Sequence, residues 1–159
     1  MSGIDILMRT LHKFYLQQLF SGLFIRKTYI DYLIDAAFAG VGKNIQEFAR
    51  LRNDMHCYRE FAYAFGLKVR ACEHVLNYKY TNDINELEKA VPLLEKSLAH
   101  YRTLVALTSS TYRYANSMQT SMRRIPIGGN DGRMKHWSEL LPEYEKELAN
   151  FKRNIAQLK

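Results

Sequence analysis

Apolar and small residues recur along most of the chain in alternating steps of three and four, the spacing of one face of an α-helix. From Phe48 they run through Leu51, Met55, Tyr58, Ala62, Phe65, Val69 and Cys72 to Leu76. That is the seam expected of a helix packing along its length. Asn44, with Glu47 three residues on, gives this helix a capped start. A helix over 45–79 would span about 50 Å, with Gly66 placed for a bend. A second series, Ile84, Leu87, Val91, Leu94, Leu98, Tyr101 and Val105, predicts a helix over 83–107. Asp83 and Glu86 have the spacing of a capping box, and Pro92 should kink the helix by removing a backbone bond. The turn near Tyr80 to Asp83 is short, which makes the two helices antiparallel neighbours. A third series, Leu141, Tyr144, Leu148, Phe151, Ile155 and Leu158, predicts a helix over 138–158. Ser138 is its expected N-cap, with Pro142 in the first turn. Acids gather in its N-terminal half and Lys152, Arg153 and Lys159 toward its end, the order that complements a helix dipole.

The first forty residues are less regular. Ile4 to Phe20 and Leu23 to Ala39 read as two helices parted near Ser21 and Gly22, with Gly40 and Gly42 ending the second. Phe20, Phe24, Ile25, Tyr29 and Tyr32 exceed what one face buries and mark a surface for another domain or subunit. No repeat recurs at a fixed period. The pattern therefore predicts an all-α fold, a bundle of about five to six helices with three of them long and antiparallel. It reads as one domain over 1–159, with irregular N-terminal helices at 1–43, the main bundle at 44–159 and a loop at 123–137.

Helical periodicity stops between Tyr112 and Trp137, where Pro126, Gly128, Gly129 and Gly132 punctuate a segment rich in aromatic, amide and cationic side chains. Tyr112, Tyr114, Asn116, Gln119, Arg123, Arg124, His136 and Trp137 are the candidate binding residues. Paired guanidinium groups suit carboxylate or sulfate, and aromatic faces beside amides suit saccharides. The same mixture fits a polar interdomain joint, and Arg123 and Arg124 also suit the C-terminal end of a short helix starting near Thr111. The Gly-Gly-Asn-Asp-Gly run at 128–132 fails as a phosphate cradle, because no strand precedes it and no Lys-Ser/Thr follows. It reads as a tight turn.

Charge reinforces the focus on this loop. The chain carries a formal net charge of +7. Between Arg102 and His136 six cations (Arg102, Arg113, Arg123, Arg124, Arg133, Lys135) face Asp131 alone, a local net of +5. Elsewhere acids and bases alternate as on solvated faces. No basic stripe or nucleic-acid motif is present, so nucleic acid is not an expected partner. Cys57 and Cys72 lie roughly 22 Å apart along a single helix, beyond disulfide reach. Arg9, His12, Lys13 and Gln17 interrupt the N-terminal apolar residues, so no signal peptide is predicted, and no run is long enough for a membrane span. A natural start at Met1 implies a cytoplasmic chain; a fragment of a larger protein implies secretion with its parent.

Catalytic and metal signals are weak. Arg50 with Asp54 and His56 with Glu60 have the i,i+4 spacing of salt bridges on a solvated helix face. The five histidines show no HxxxH or HExxH spacing, and no GxSxG nucleophile motif occurs. No metal, cofactor or catalytic residue is assigned, and catalysis by this chain alone is not expected.

Several segments together carry a family resemblance. LRNDMHC (51–57), YTND (80–83), LEKSLAHY (94–101), TYRYANSMQT (111–120), RRIPIGG (123–129) and HWSELLPEYEKELANF (136–151) are the segments concerned. They resemble the α-helical module near the C-terminus of large bacterial polysaccharide-degrading proteins of glycoside-hydrolase type. The resemblance covers roughly 45–159, with MQT and RRIPIGG its most specific parts. It implies a non-catalytic accessory domain of a carbohydrate-processing protein whose catalytic machinery lies elsewhere. The implied partners are a neighbouring domain or a saccharide, reached through 112–137. The alternative is a stand-alone interaction scaffold or homo-oligomer using the apolar N-terminal surface.

Overall fold

In a computed structural model the described residues are 33, 35–37, 40–113 and 135–159. Among them every regular element is helical, so the architecture is all-α. Helix α1 spans Ile45–Thr81, α2 spans Ile84–Thr108 and α3 spans Trp137–Leu158. The further helices expected near the N-terminus and after Thr111 fall largely outside the described residues. By its internal contacts the chain divides into two units, 1–56 and 57–159, with α1 beginning in the first and continuing into the second.

In the first unit, residues 35–37 are helical and the Gly40 amide bonds the Ala37 carbonyl at 3.2 Å. Arg52 grips Asp35 at 2.7 Å, and His56 Nε2 stands 3.8 Å from the same carboxylate. His56 Nδ1 is buried without a hydrogen-bond partner among the described residues.

The second unit is built on antiparallel pairs. Asn82 ends α1 with φ of 53°, a left-handed conformation that asparagine tolerates, and its amide bonds the Tyr78 carbonyl at 2.8 Å. Asp83 then caps α2, its carboxylate accepting the Asn85 amide at 3.0 Å. The two-residue link turns the chain back on itself. Glu60 bonds His100, Ala64 bonds Ser97 and His74 bonds Glu86, so residues advance on α1 as they retreat on α2. The α2–α3 pair has the same sense. Glu88, Glu95 and Arg102 each step one heptad along α2, and their partners Lys159, Lys152 and Glu145 step back equally along α3.

Cys57, Ala64, Tyr101, Leu104 and Leu140 form the buried cluster, with Val105, Leu107, Trp137, Leu141 and Tyr144 packed against it. The apolar series read from α2 and α3 largely face this core, although Leu158 is exposed. The series read from α1 does not. Leu51, Met55, Tyr58, Phe65 and Leu76 are exposed, while Cys57, Glu60, Ala64, Leu67 and Ala71 are buried. Both series have helical spacing, so periodicity alone cannot say which faces inward. The inward one is rich in small residues, which permit a close approach to α2.

Cap positions also shift. Helix α3 begins at Trp137 with His136 as its N-cap, earlier than a Ser138 cap would set. Pro142 therefore lies in the second turn, and the helix continues through it.

Candidate functional site

The C-terminal end of α2 and the N-terminal end of α3 meet around His136. The His136 amide donates to Glu139 Oε2 at 2.6 Å, and His136 Nδ1 accepts the Ser138 amide at 3.1 Å. Together they form a capping box in which an imidazole replaces the usual hydroxyl or carboxylate. With Nδ1 accepting, the proton belongs on Nε2, which lies 3.3 Å from the Thr108 carbonyl at the end of α2. One side chain thus satisfies the start of one helix and the end of another.

Aromatic rings cover this junction. Trp137 meets Tyr112 edge-on at 5.7 Å between centroids and His136 at 5.5 Å. Its carbonyl accepts the Tyr101 hydroxyl at 3.3 Å. Burial pushes the Tyr101 phenol above its ordinary pKa, and Tyr144, its ring 4.5 Å away, adds to the rise. Of the candidate binding residues, Tyr112, His136 and Trp137 are therefore brought together. Tyr114, Asn116, Gln119, Arg123 and Arg124 lie outside the described residues.

A second polar layer crosses the α1–α2 interface and was missed by sequence reasoning. Glu60, expected on a solvated face opposite His56, is instead buried at 5% exposure. Its carboxylate takes Arg59 at 2.8 Å and His100 at 2.7 Å, and the His100 ring stacks on Tyr63. A buried carboxylate requires such partners, since an unpaired one would be strongly penalised. Its position in step with Cys57, Ala64 and Leu67 was the available signal.

Nearby, the Ser97 hydroxyl donates to the Ala64 carbonyl at 2.6 Å. Farther along, Glu86 does not complete a capping box with Asp83. It accepts His74 at 2.8 Å, Lys89 at 2.5 Å and Asn77 at 3.2 Å. These bonds, His74's foremost, hold the Glu86 carboxyl down at about 2, and Lys89 is raised in return. These carboxylates are cross-links between helices. Among the described residues no cluster of three or more His, Cys, Asp or Glu converges on a metal-sized point.

A third feature is a groove of about 130 Å³ flanked by α1, α2 and α3. Phe61, Phe65, Leu94, Leu98 and Leu148 give it apolar walls. The Lys68 ammonium sits 4.6 Å above the Tyr144 ring and 2.6 Å from Glu147. Phe61 and Phe65 stack at 6.5 Å on the outer lip.

No protein-family model and no curated protein matches the chain. Among solved structures it is similar to a GH138 enzyme targeting pectin rhamnogalacturonan II, at 58% sequence identity with a TM-score of 0.71. The match covers 80% of this chain and 18% of that one, so the chain spans less than a fifth of that relative's length. Identity at this level carries more than a shared fold: the chain is all-α and related in sequence to part of a glycoside hydrolase.

Proposed function

We propose that this chain is a non-catalytic accessory helical module of a carbohydrate-processing protein, set near the C-terminal end of a larger polypeptide. The single observation that carries the reading is the asymmetry of the match. At 58% identity this chain corresponds to only 18% of a GH138 enzyme, leaving ample chain for catalytic machinery elsewhere. The described chemistry fits the same role. The Glu60–His100 and His74–Glu86 pairs tie helices together, and His136 serves as a cap. The region 112–137, whose sequence carries Asn116, Gln119, Arg123 and Arg124 between Tyr112 and Trp137, contacts a glycan or a neighbouring domain.

Sugar release from pectin rhamnogalacturonan II tests the role, with the GH138 enzyme as positive control. The purified chain should release none, and turnover scaling with its concentration overturns the proposal. Titrating rhamnogalacturonan II fragments while following Trp137 emission divides the two contacts. A saturable change lost in Arg123→Ala assigns the loop to a glycan; a flat response assigns it to a domain contact.

A further inference from the structure

Helix α1 is apolar on two faces, and among the described residues only one meets the core. Cys57, Ala64, Leu67 and Ala71 turn inward. Tyr58, Phe61, Phe65 and Leu76 are 55%, 51%, 62% and 48% exposed, and Cys72 is exposed among them. At about 100° per residue these five fall within one stripe roughly 60° wide, the narrow seam by which a helix meets a partner along its length. A contiguous apolar stripe of this kind marks an interaction site.

We infer that this outer face of α1 docks against the body of the longer carbohydrate-processing polypeptide, burying Phe61 and Phe65 in a protein–protein interface. The inference rests on the accessory-module reading and names the surface through which the module is seated. Two observations select a protein occupant. The 58%-identical enzyme has more than four-fifths of its chain outside the match, so a large body is available to cover the stripe. A glycan site also needs polar groups for sugar hydroxyls. Here the charged pair beside the phenylalanines, Lys68 and Glu147, is already joined at 2.6 Å, leaving an apolar lip.

Thiol footprinting tests the inference, because Cys72 lies on the stripe and Cys57 lies in the core. In the isolated chain, iodoacetamide should modify Cys72 readily and Cys57 slowly, read by peptide mass spectrometry. In the GH138 enzyme carrying this chain in place of its matching segment, Cys72 labelling should slow by about tenfold or more. Phe61→Ser with Phe65→Ser should restore it. Where the graft is insoluble, the isolated chain is labelled beside the GH138 enzyme shortened by its matching segment, with the same expectation. Slow Cys72 labelling in the isolated chain overturns the inference, since the face is then covered by the chain itself or a second copy. So does protection by rhamnogalacturonan II fragments alone, which makes the stripe a glycan site. An active graft whose Cys72 labels at the isolated-chain rate overturns the docking surface and leaves the accessory role standing. Sugar release by the isolated chain overturns the role instead.

Discussion

His136 shows how much one side chain can organise. It caps α3, bonds the last turn of α2 and packs on Trp137. Replacing it with alanine should cost about 1 kcal/mol, with most recovered by His136→Asn, as thermal unfolding would show. Glu86 makes an acid-side prediction. Its folded pKa is depressed to about 2 from 4.5, so its contribution is present above the unfolded value and lost as pH falls through the folded one. Between about pH 5 and pH 2.5, the urea midpoint of the native chain should fall farther than that of Glu86→Gln. Tyr101 acts at the alkaline end. Its raised pKa favours the neutral phenol in the folded state, so stability should drop as pH rises above about 10, less steeply in Tyr101→Phe. None of these roles was visible in sequence. A histidine cap is uncommon, and the bonds to Glu86 depend on which residues of another helix arrive opposite it.

At the scale of elements, legibility followed the number of apolar faces. Helices α2 and α3 present one dominant apolar face, and their series Leu87, Leu98, Tyr101 and Leu141, Tyr144, Ile155 point inward or pack on the core. Helix α1 presents two, and the longer series, from Leu51 to Leu76, is the outward one. Residue size distinguished them where hydrophobicity did not: Ala64 and Ala71 are buried on the inward face of α1. The charge order on α3 suits a helix dipole, and it also encodes register. The heptad ladder Glu88–Lys159, Glu95–Lys152 and Arg102–Glu145 aligns α2 with α3. These pairs are exposed, so a double-mutant cycle on Glu95 and Lys152 should give a coupling of about 0.5 kcal/mol, reduced in high salt.

For the whole molecule, the resemblance read from RRIPIGG, LEKSLAHY and HWSELLPEYEKELANF pointed toward a glycoside-hydrolase relative, and the 58%-identical GH138 enzyme supports that direction. Its most specific segments lie outside the described residues, so their chemistry rests on sequence alone. Among its described residues the second unit supplies three helices whose ionic groups are largely engaged with one another. Its outer α1 face is where surface chemistry and fold disagree, and the account depends on that face being outward. Thermal and urea unfolding of two variants of the isolated chain test this most directly. Leu67→Ala, in the core, should lose about 2–5 kcal/mol. Phe61→Ser with Phe65→Ser should lose distinctly less, because both rings are more than half exposed and serine matches phenylalanine in helix propensity. A loss from the phenylalanine pair equal to that of Leu67→Ala would contradict the account.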